Sequence, residues 1–222
     1  MKIWAFHEPF DYDYARALRV GGISQPGEYQ ERRRPIVIEW LPDSDVVGDF
    51  TWPGFDTELV ITDQVARALA DRGIGGFELR EVEMFESAKV AKMSRRRLKR
   101  PRVRLPYTGP KLWDLWPTAW THADMERSTI TTRQLADGTT DYELLGIQDE
   151  ESTWDQENGV MHNRMIPRIE GQGLFVPPID GIFRVYEFPG GILCTDNVKC
   201  LIEEHRFTNV SFVEMGDVLS TG

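Results

Sequence analysis

Asp149, Glu150 and Glu151 run consecutively in this chain, and Trp154, Asp155 and Glu157 follow within a few residues. Acid–base catalysis needs two carboxylates held in unequal surroundings around a cleft. A consecutive run of acids reads instead as solvated chain. An aromatic side chain ringed by charge suits a protein interface. Asp149, Glu150, Glu151, Trp154, Asp155 and Glu157 therefore form the candidate partner-binding set. A second set lies in residues 89–104, which hold nine cations and no acid, among them Arg95, Arg96, Arg97, Lys99, Arg100, Arg102 and Arg104. Those seven offer the alternative function, nucleic-acid binding by phosphate neutralisation. Only Leu98, Pro101 and Val103 interleave them, and no aromatic residue is present to stack a base. A solvated arm, or one docked on the protein's own acidic surface, competes with that reading.

His122, Asp124 and Glu126 alternate, so a strand would put them on one face where they could hold a divalent ion. Nothing else in the sequence supplies an obvious further ligand, and neither metal nor cofactor is expected. Gly73-Ile-Gly75-Gly76 follows a predicted helix instead of opening one, the wrong order for a phosphate loop. No nucleophile elbow, HExxH or CxxC occurs. The expectation is a protein with no catalytic residues.

The net charge of −10 is uneven, since residues 137–157 carry eight acids and no cation. Such a surface repels nucleic acid and anionic lipid and attracts a basic partner. No apolar run approaches the ~20 residues of a membrane helix. The opening Met1-Lys-Ile-Trp-Ala-Phe-His reads as a strand rather than a secretory leader, so a cytoplasmic location is expected. Cys194 and Cys200 fall on a predicted strand and the helix after it, which does not suggest a bridge.

These residues must be positioned by something, and the clearest elements are a pair of matching segments. Leu59–Val82 aligns without a gap on Ile192–Met215, 133 residues later, with four identities: Thr62/Thr195, Asp63/Asp196, Val65/Val198 and Glu81/Glu214. Each opens on three apolar residues, a short buried strand. A Thr hydroxyl suited to capping a helix and an Asp suited to its dipole come next. Val65, Ala68 and Leu69, like Val198, Leu201 and Ile202, then draw one apolar stripe at helical spacing. Gly73 suits a left-handed helix end, whereas Arg206 predicts a different stop. Phe77, Leu79 and Val82, like Val210, Phe212 and Met215, alternate as in a strand with one covered face.

Elsewhere, strands are predicted at 2–6, 35–40 and near 142–147, with a helix over 86–98 ended by Pro101. Asp180–Phe188 reads as a strand closed by a turn at Pro189-Gly-Gly191. Residues 105–170 otherwise lack periodicity, and the aromatic cluster Leu112–Trp120 is expected between two lobes. The fold class is α+β: one mixed domain, 1–222, with lobes at about 1–105 and 106–222. Two pseudo-equivalent strand–helix–strand units occupy 59–82 and 192–215.

The repeat and the strand Asp180-Gly-Ile-Phe183-Arg184 resemble the immunity proteins of bacterial polymorphic toxin and contact-dependent competition systems. The likeness is to the myxobacterial-type group that includes the double-CXXCG motif proteins and relatives lacking those cysteines. The closing segment Phe207–Met215 and the stretch Ile61–Leu79, with its Gly-Ile-Gly-Gly-Phe ending, are similar to that group's pattern. Both CXXCG motifs are absent here, so no metal role carries over from them. The resemblance implies a non-enzymatic protein that binds and blocks a cognate toxin. An acidic surface would steer such an inhibitor to a basic active site.

Overall fold

A computed structural model describes residues 1–9, 13–22, 35–88, 91, 101–155 and 159–220. These residues form a mostly-β protein with two short helices and two curled six-stranded mixed sheets. The first sheet runs β2 (Ala17–Arg19), β3 (Ile36–Trp40), β7 (Phe77–Met84), β8 (Leu112–Pro117), β6 (Leu59–Thr62), β4 (Phe50–Thr51). The second runs β14 (Leu174–Val176), β17 (Ser211–Val218), β1 (Lys2–His7), β16 (Phe188–Thr195), β15 (Ile182–Val185), β9 (Ala119–Thr121). Two ribbons stand apart from both, β10 (Ile130–Gln134) with β11 (Thr140–Leu144), and β12 (Asp149–Asp155) with β13 (Val160–Ile166). A short strand, β5 (Pro53–Asp56), precedes β6.

Both aligned segments run strand, helix, strand. β6 leads into α1 (Asp63–Asp71) and β7; β16 leads into α2 (Asp196–His205) and β17. β7 takes β3 in parallel, and β17 takes β14 in parallel. An antiparallel strand from elsewhere in the chain then separates each pair, β8 in the first sheet and β1 in the second. The first sheet therefore draws all its strands from residues 17–117, whereas the second joins β1 at 2–7 to strands from 119 onward.

The apolar stripes are buried as their spacing demands. Val65 and Leu69 on α1 meet Val198, Leu201 and Ile202 on α2 in one central cluster, which also takes Ala66, while Ala68 is only partly buried against it. Leu59, Ile61, Ile192 and Cys194 from the entering strands join it, with Phe6 from β1 and Leu115 from β8. Cys194 is buried and Cys200 exposed; both are free thiols. Smaller clusters fill the far face of each sheet, around Ile36, Ile38 and Val60 in one and Leu174, Val176 and Leu193 in the other. No helix among the described residues is long and apolar enough to cross a membrane.

The helix ends correct two expectations. Thr62 and Thr195 are the N-cap residues, yet neither hydroxyl caps its helix. Each donates instead to a carboxylate, Thr62 to Asp49 Oδ1 at 3.2 Å and Thr195 to Asp180 Oδ1 at 2.7 Å. A charged oxygen is a strong acceptor, and donating to it turns each hydroxyl toward the carboxylate rather than toward the free amides of the first turn. At the other end, Arg206 does not stop α2 by a new route: its φ is 55°, against 72° for Gly73. Gly73 and Ile74 donate to Ala70 and Leu69; Arg206 and Phe207 donate to Glu203 and Ile202. That is the Schellman closure in both cases, with buried Phe207 holding the arginine in a conformation glycine would take freely.

Other boundaries move. β15 reverses at Tyr186-Glu187, with Val185 opposite Phe188, so Pro189-Gly190-Gly191 lies inside β16 rather than in the turn. The stretch 105–170 holds six strands, most of them in ribbons solvated on one or both faces, where burial imposes no alternation. Leu112–Trp116 belongs to β8, inside the first sheet. The strand predicted near 142–147 is Thr140–Leu144, ended before Gly146 at φ 74°. Most of the predicted helix over 86–98 lies outside the described residues.

Replacing Arg206 with glycine removes a left-handed strain of roughly 1 kcal/mol. Urea denaturation of Arg206→Gly should show a gain of about that size. A loss would mean that the arginine side chain, and not its backbone, secures the turn.

Candidate functional site

The acidic stretch lies outside both sheets, on the ribbons inserted between β9 and β14. Asp137 sits in the β10–β11 turn, where Thr139 donates its N–H and hydroxyl to Oδ1 and lowers the carboxyl's pKa. Asp149, Glu150, Glu151 and Trp154 all lie on β12 and are exposed, and Asp155 is its last residue. Glu157 lies outside the described residues. Strand periodicity puts Glu150, Ser152 and Trp154 on one ribbon face, with Met165 of β13 directly across from Glu150. Trp154 is 54% exposed and Met165 47%. An isolated two-stranded ribbon is marginal in water, and this one keeps its largest apolar groups in solvent.

The root of that ribbon opens onto a cleft of about 760 Å³. Its floor is apolar, formed by Phe6 from β1, Phe212 and Val213 from β17, Ile147, and Met165. Its rim is acidic: Glu8, Asp56, Asp149 and Glu150. The ribbon is fastened there by Gln148, which donates its N–H to Glu214 O at 3.0 Å and accepts the Glu214 N–H on Oε1 at 2.9 Å. Asp56 ties the opposite wall, since Oδ2 lies 2.9 Å from His7 Nδ1 and Oδ1 accepts the Glu8 N–H at 2.9 Å.

The carboxylates are felt across the cleft. The hydrogen bond from Asp56 raises the His7 pKa, partial burial opposes it, and the fields of Asp56, Glu150 and Glu8 raise it further. Burial pushes the Glu8 carboxyl up, and the negative charge of Asp56 adds to the effect, while Arg16 and His7 pull it down. No lysine or arginine lines this cleft among the described residues. It is a negative cavity with a greasy base, built to hold a positively charged group beside an apolar one.

The other candidates are not brought together as their spacing suggested. His122 follows the end of β9 and reaches Glu187 Oε1 at 2.9 Å. Asp124 is used in a turn, accepting the N–H groups of Glu126 and Arg127. These residues are not on a strand, so they share no strand face, and no three ligand-type side chains gather for a metal among the described residues. Of the basic set, Arg95, Arg96, Arg97, Lys99 and Arg100 lie outside the described residues. Arg102 is ion-paired with Glu86 at 2.7 Å, the self-docked arrangement, while Arg104 is exposed.

Sequence reasoning missed the cleft altogether. Its His7, Glu8 and Asp56 come from the ends of β1 and β5, far apart in the sequence, and no local spacing joins them. A second omission was legible. Lys2-Ile-Trp4 and Lys111-Leu-Trp113 are the same short motif. Trp4 Nε1 donates to Asp196 Oδ1 at 2.8 Å, and Trp113 Nε1 to Asp63 Oδ1 at 3.0 Å. Each tryptophan also lies beneath a lysine, Lys199 at 4.7 Å and Lys111 at 3.6 Å from the ring centre.

Comparison with known proteins found no matching family model and no curated protein that matches the chain.

The His7–Asp56 pair gives a pH signature. A histidine whose folded pKa is raised contributes stability below its unfolded pKa, and that contribution fades as pH climbs through the folded value. An NMR titration should place the His7 midpoint above the ordinary histidine value, and Asp56→Asn should move it down. An unchanged midpoint in Asp56→Asn would show that the pair does not hold the proton.

Proposed function

We propose that this protein is a non-enzymatic, cytoplasmic immunity-type inhibitor that binds and neutralises a basic toxin through its acidic ribbon. We further propose that the segments at 59–82 and 192–215 are pseudo-equivalent copies of one ancestral unit. The observation that carries the functional reading is Trp154, more than half exposed on a ribbon rich in carboxylates. Truncating an aromatic anchor of this kind commonly costs 2 kcal/mol or more of binding. Surrounding carboxylates speed encounter with a positive partner. The sequence resemblance to toxin immunity proteins supplies the class of partner.

The duplication is supported by detail beyond the hydrophobic pattern. Both units place Thr at the N-cap and Asp at the first helical position, and both fix that Asp with an indole N–H from the neighbouring antiparallel strand. Two unrelated strand–helix–strand segments have no physical reason to share that bond.

Co-expression with the product of the adjacent gene is the direct test. Growth should be arrested by that product alone and restored by the pair. Trp154→Ala should weaken the purified complex at least about tenfold, and raising salt should slow association more than it speeds dissociation. A harmless neighbour, or one that stays toxic beside this protein, would remove the proposal's basis.

A further inference from the structure

We infer that the cleft at the ribbon root receives an extended segment of the partner protein in which basic and apolar side chains alternate. The inference rests on the proposed partner-binding role and names what the partner must present. Charge complementarity argues for the cations. The rim carries Glu8, Asp56, Asp149 and Glu150, and apart from His7, which is paired with Asp56, the described lining residues include no basic side chain to offset them. Burial first, and then the charge of Asp56, raise the Glu8 pKa, with Arg16 and His7 opposing them. An incoming ammonium or guanidinium relieves that repulsion, and the low-dielectric floor strengthens the attraction. The floor itself argues for apolar neighbours, since Phe212, Ile147 and Met165 keep apolar surface that a purely polar ligand would not bury.

The backbone argues for an extended chain rather than a helix. β17 pairs with β1 along Ser211–Asp217, but β14 covers its other edge only at Gly216–Val218. Glu214 turns its N–H and C=O away from β1, toward Gln148. Two residues earlier, strand periodicity turns the Phe212 N–H and C=O the same way. No strand among the described residues pairs with Phe212 on that side. A partner strand added there completes the ladder, and its alternate side chains meet the floor while the others reach the rim. Trp154 shares a ribbon face with Glu150 and Met165, so the anchor and the cleft lie along one continuous surface.

The probes are two synthetic peptides, Ac-Arg-Leu-Arg-Leu-Arg-amide and its glutamine counterpart Ac-Gln-Leu-Gln-Leu-Gln-amide, titrated into the isotope-labelled full chain. The arginine peptide should shift the amide signals of Gln148, Phe212 and Val213 and slow hydrogen exchange at Phe212. It should bind at least about tenfold more tightly than the glutamine peptide, and the Asp149→Asn/Glu150→Gln double variant should erase most of that difference. Absence of shifts, shifts spread over the ribbon acids without Phe212, or equal binding of both peptides overturns the inference. Binding of the co-expressed toxin is scored separately. If the toxin binds while the peptides do not, the cleft assignment fails and the inhibitor reading survives. If the peptide binds and the toxin does not, the inhibitor reading falls and the cleft remains a basic-peptide site.

Discussion

After each helix the chain turns and hands a backbone carbonyl to a strand of the opposite sheet, β15 or β4. Gly75 O accepts the N–H of Ile182 at 3.0 Å, and Thr208 O accepts the N–H of Phe50 at 3.3 Å. Both contacts demand very close backbone approach. A side chain at Gly76 would put its Cβ 2.0 Å from Ile182 O, and one at Gly181 would lie 2.5 Å from Gly75 O. On the other side a Cβ at Gly48 would meet the Asn209 side chain at 2.7 Å. Asn209 then secures its junction twice, donating from Nδ2 to Phe50 O and accepting the Trp52 indole N–H on its own carbonyl. Buried backbone groups have to be paired somewhere. Here they are paired between the two sheets, so each sheet supplies what the other's edge lacks and the shared helix core stays closed.

Side chains reinforce the same boundary. Arg184 is only 1% exposed, yet its guanidinium donates to Thr57 O from β5's turn and to carbonyls of the Pro189-Gly190 segment. Carbonyl oxygens that accept from both terminal nitrogens of its guanidinium make that burial tolerable. Asp49 joins the N-terminus of α1 to the loop after α2 by accepting hydrogen bonds from Thr62 and Thr208. With both junctions locked, the chain between β9 and β14 adds to the core Ala123, with Ile130 and Leu144 packed against it. It leaves the body as two ribbons, and these carry the acids.

A charged ribbon needs a firm root if it is to present a surface of fixed shape. Arg168, with a side chain 6% exposed, donates to Glu214, Asp217 and the Gln172 carbonyl. Lys2 adds a second cation to the Glu214 carboxylate at 2.8 Å, and that contact raises the lysine pKa. The network clamps β1, β17 and the segment leaving β13 into one corner. From that corner the ribbon rises over the cleft with Asp149, Glu150 and Glu151 exposed.

Much of the helical framework was legible in the sequence because it obeys local rules. Val65, Leu69, Val198, Leu201 and Ile202 had to be buried, since a helix puts residues three and four apart on one stripe wherever it lies. The acids and Trp154 were legible for a related reason: a run of charges is solvated in almost any fold. The Thr hydroxyls and Arg206 misled because their partners, Asp49, Asp180 and the Phe207 pocket, are set by neighbours that local pattern does not name. The cleft was invisible on the same grounds, as β1, β5, β12 and β17 meet only after both sheets close. By itself the sequence determined which faces are apolar and where charge accumulates, because these depend on residue type and period. Only the tertiary structure decided which strands share a sheet and which carboxylates share a cavity, because those follow from hydrogen bonds between residues far apart in the chain.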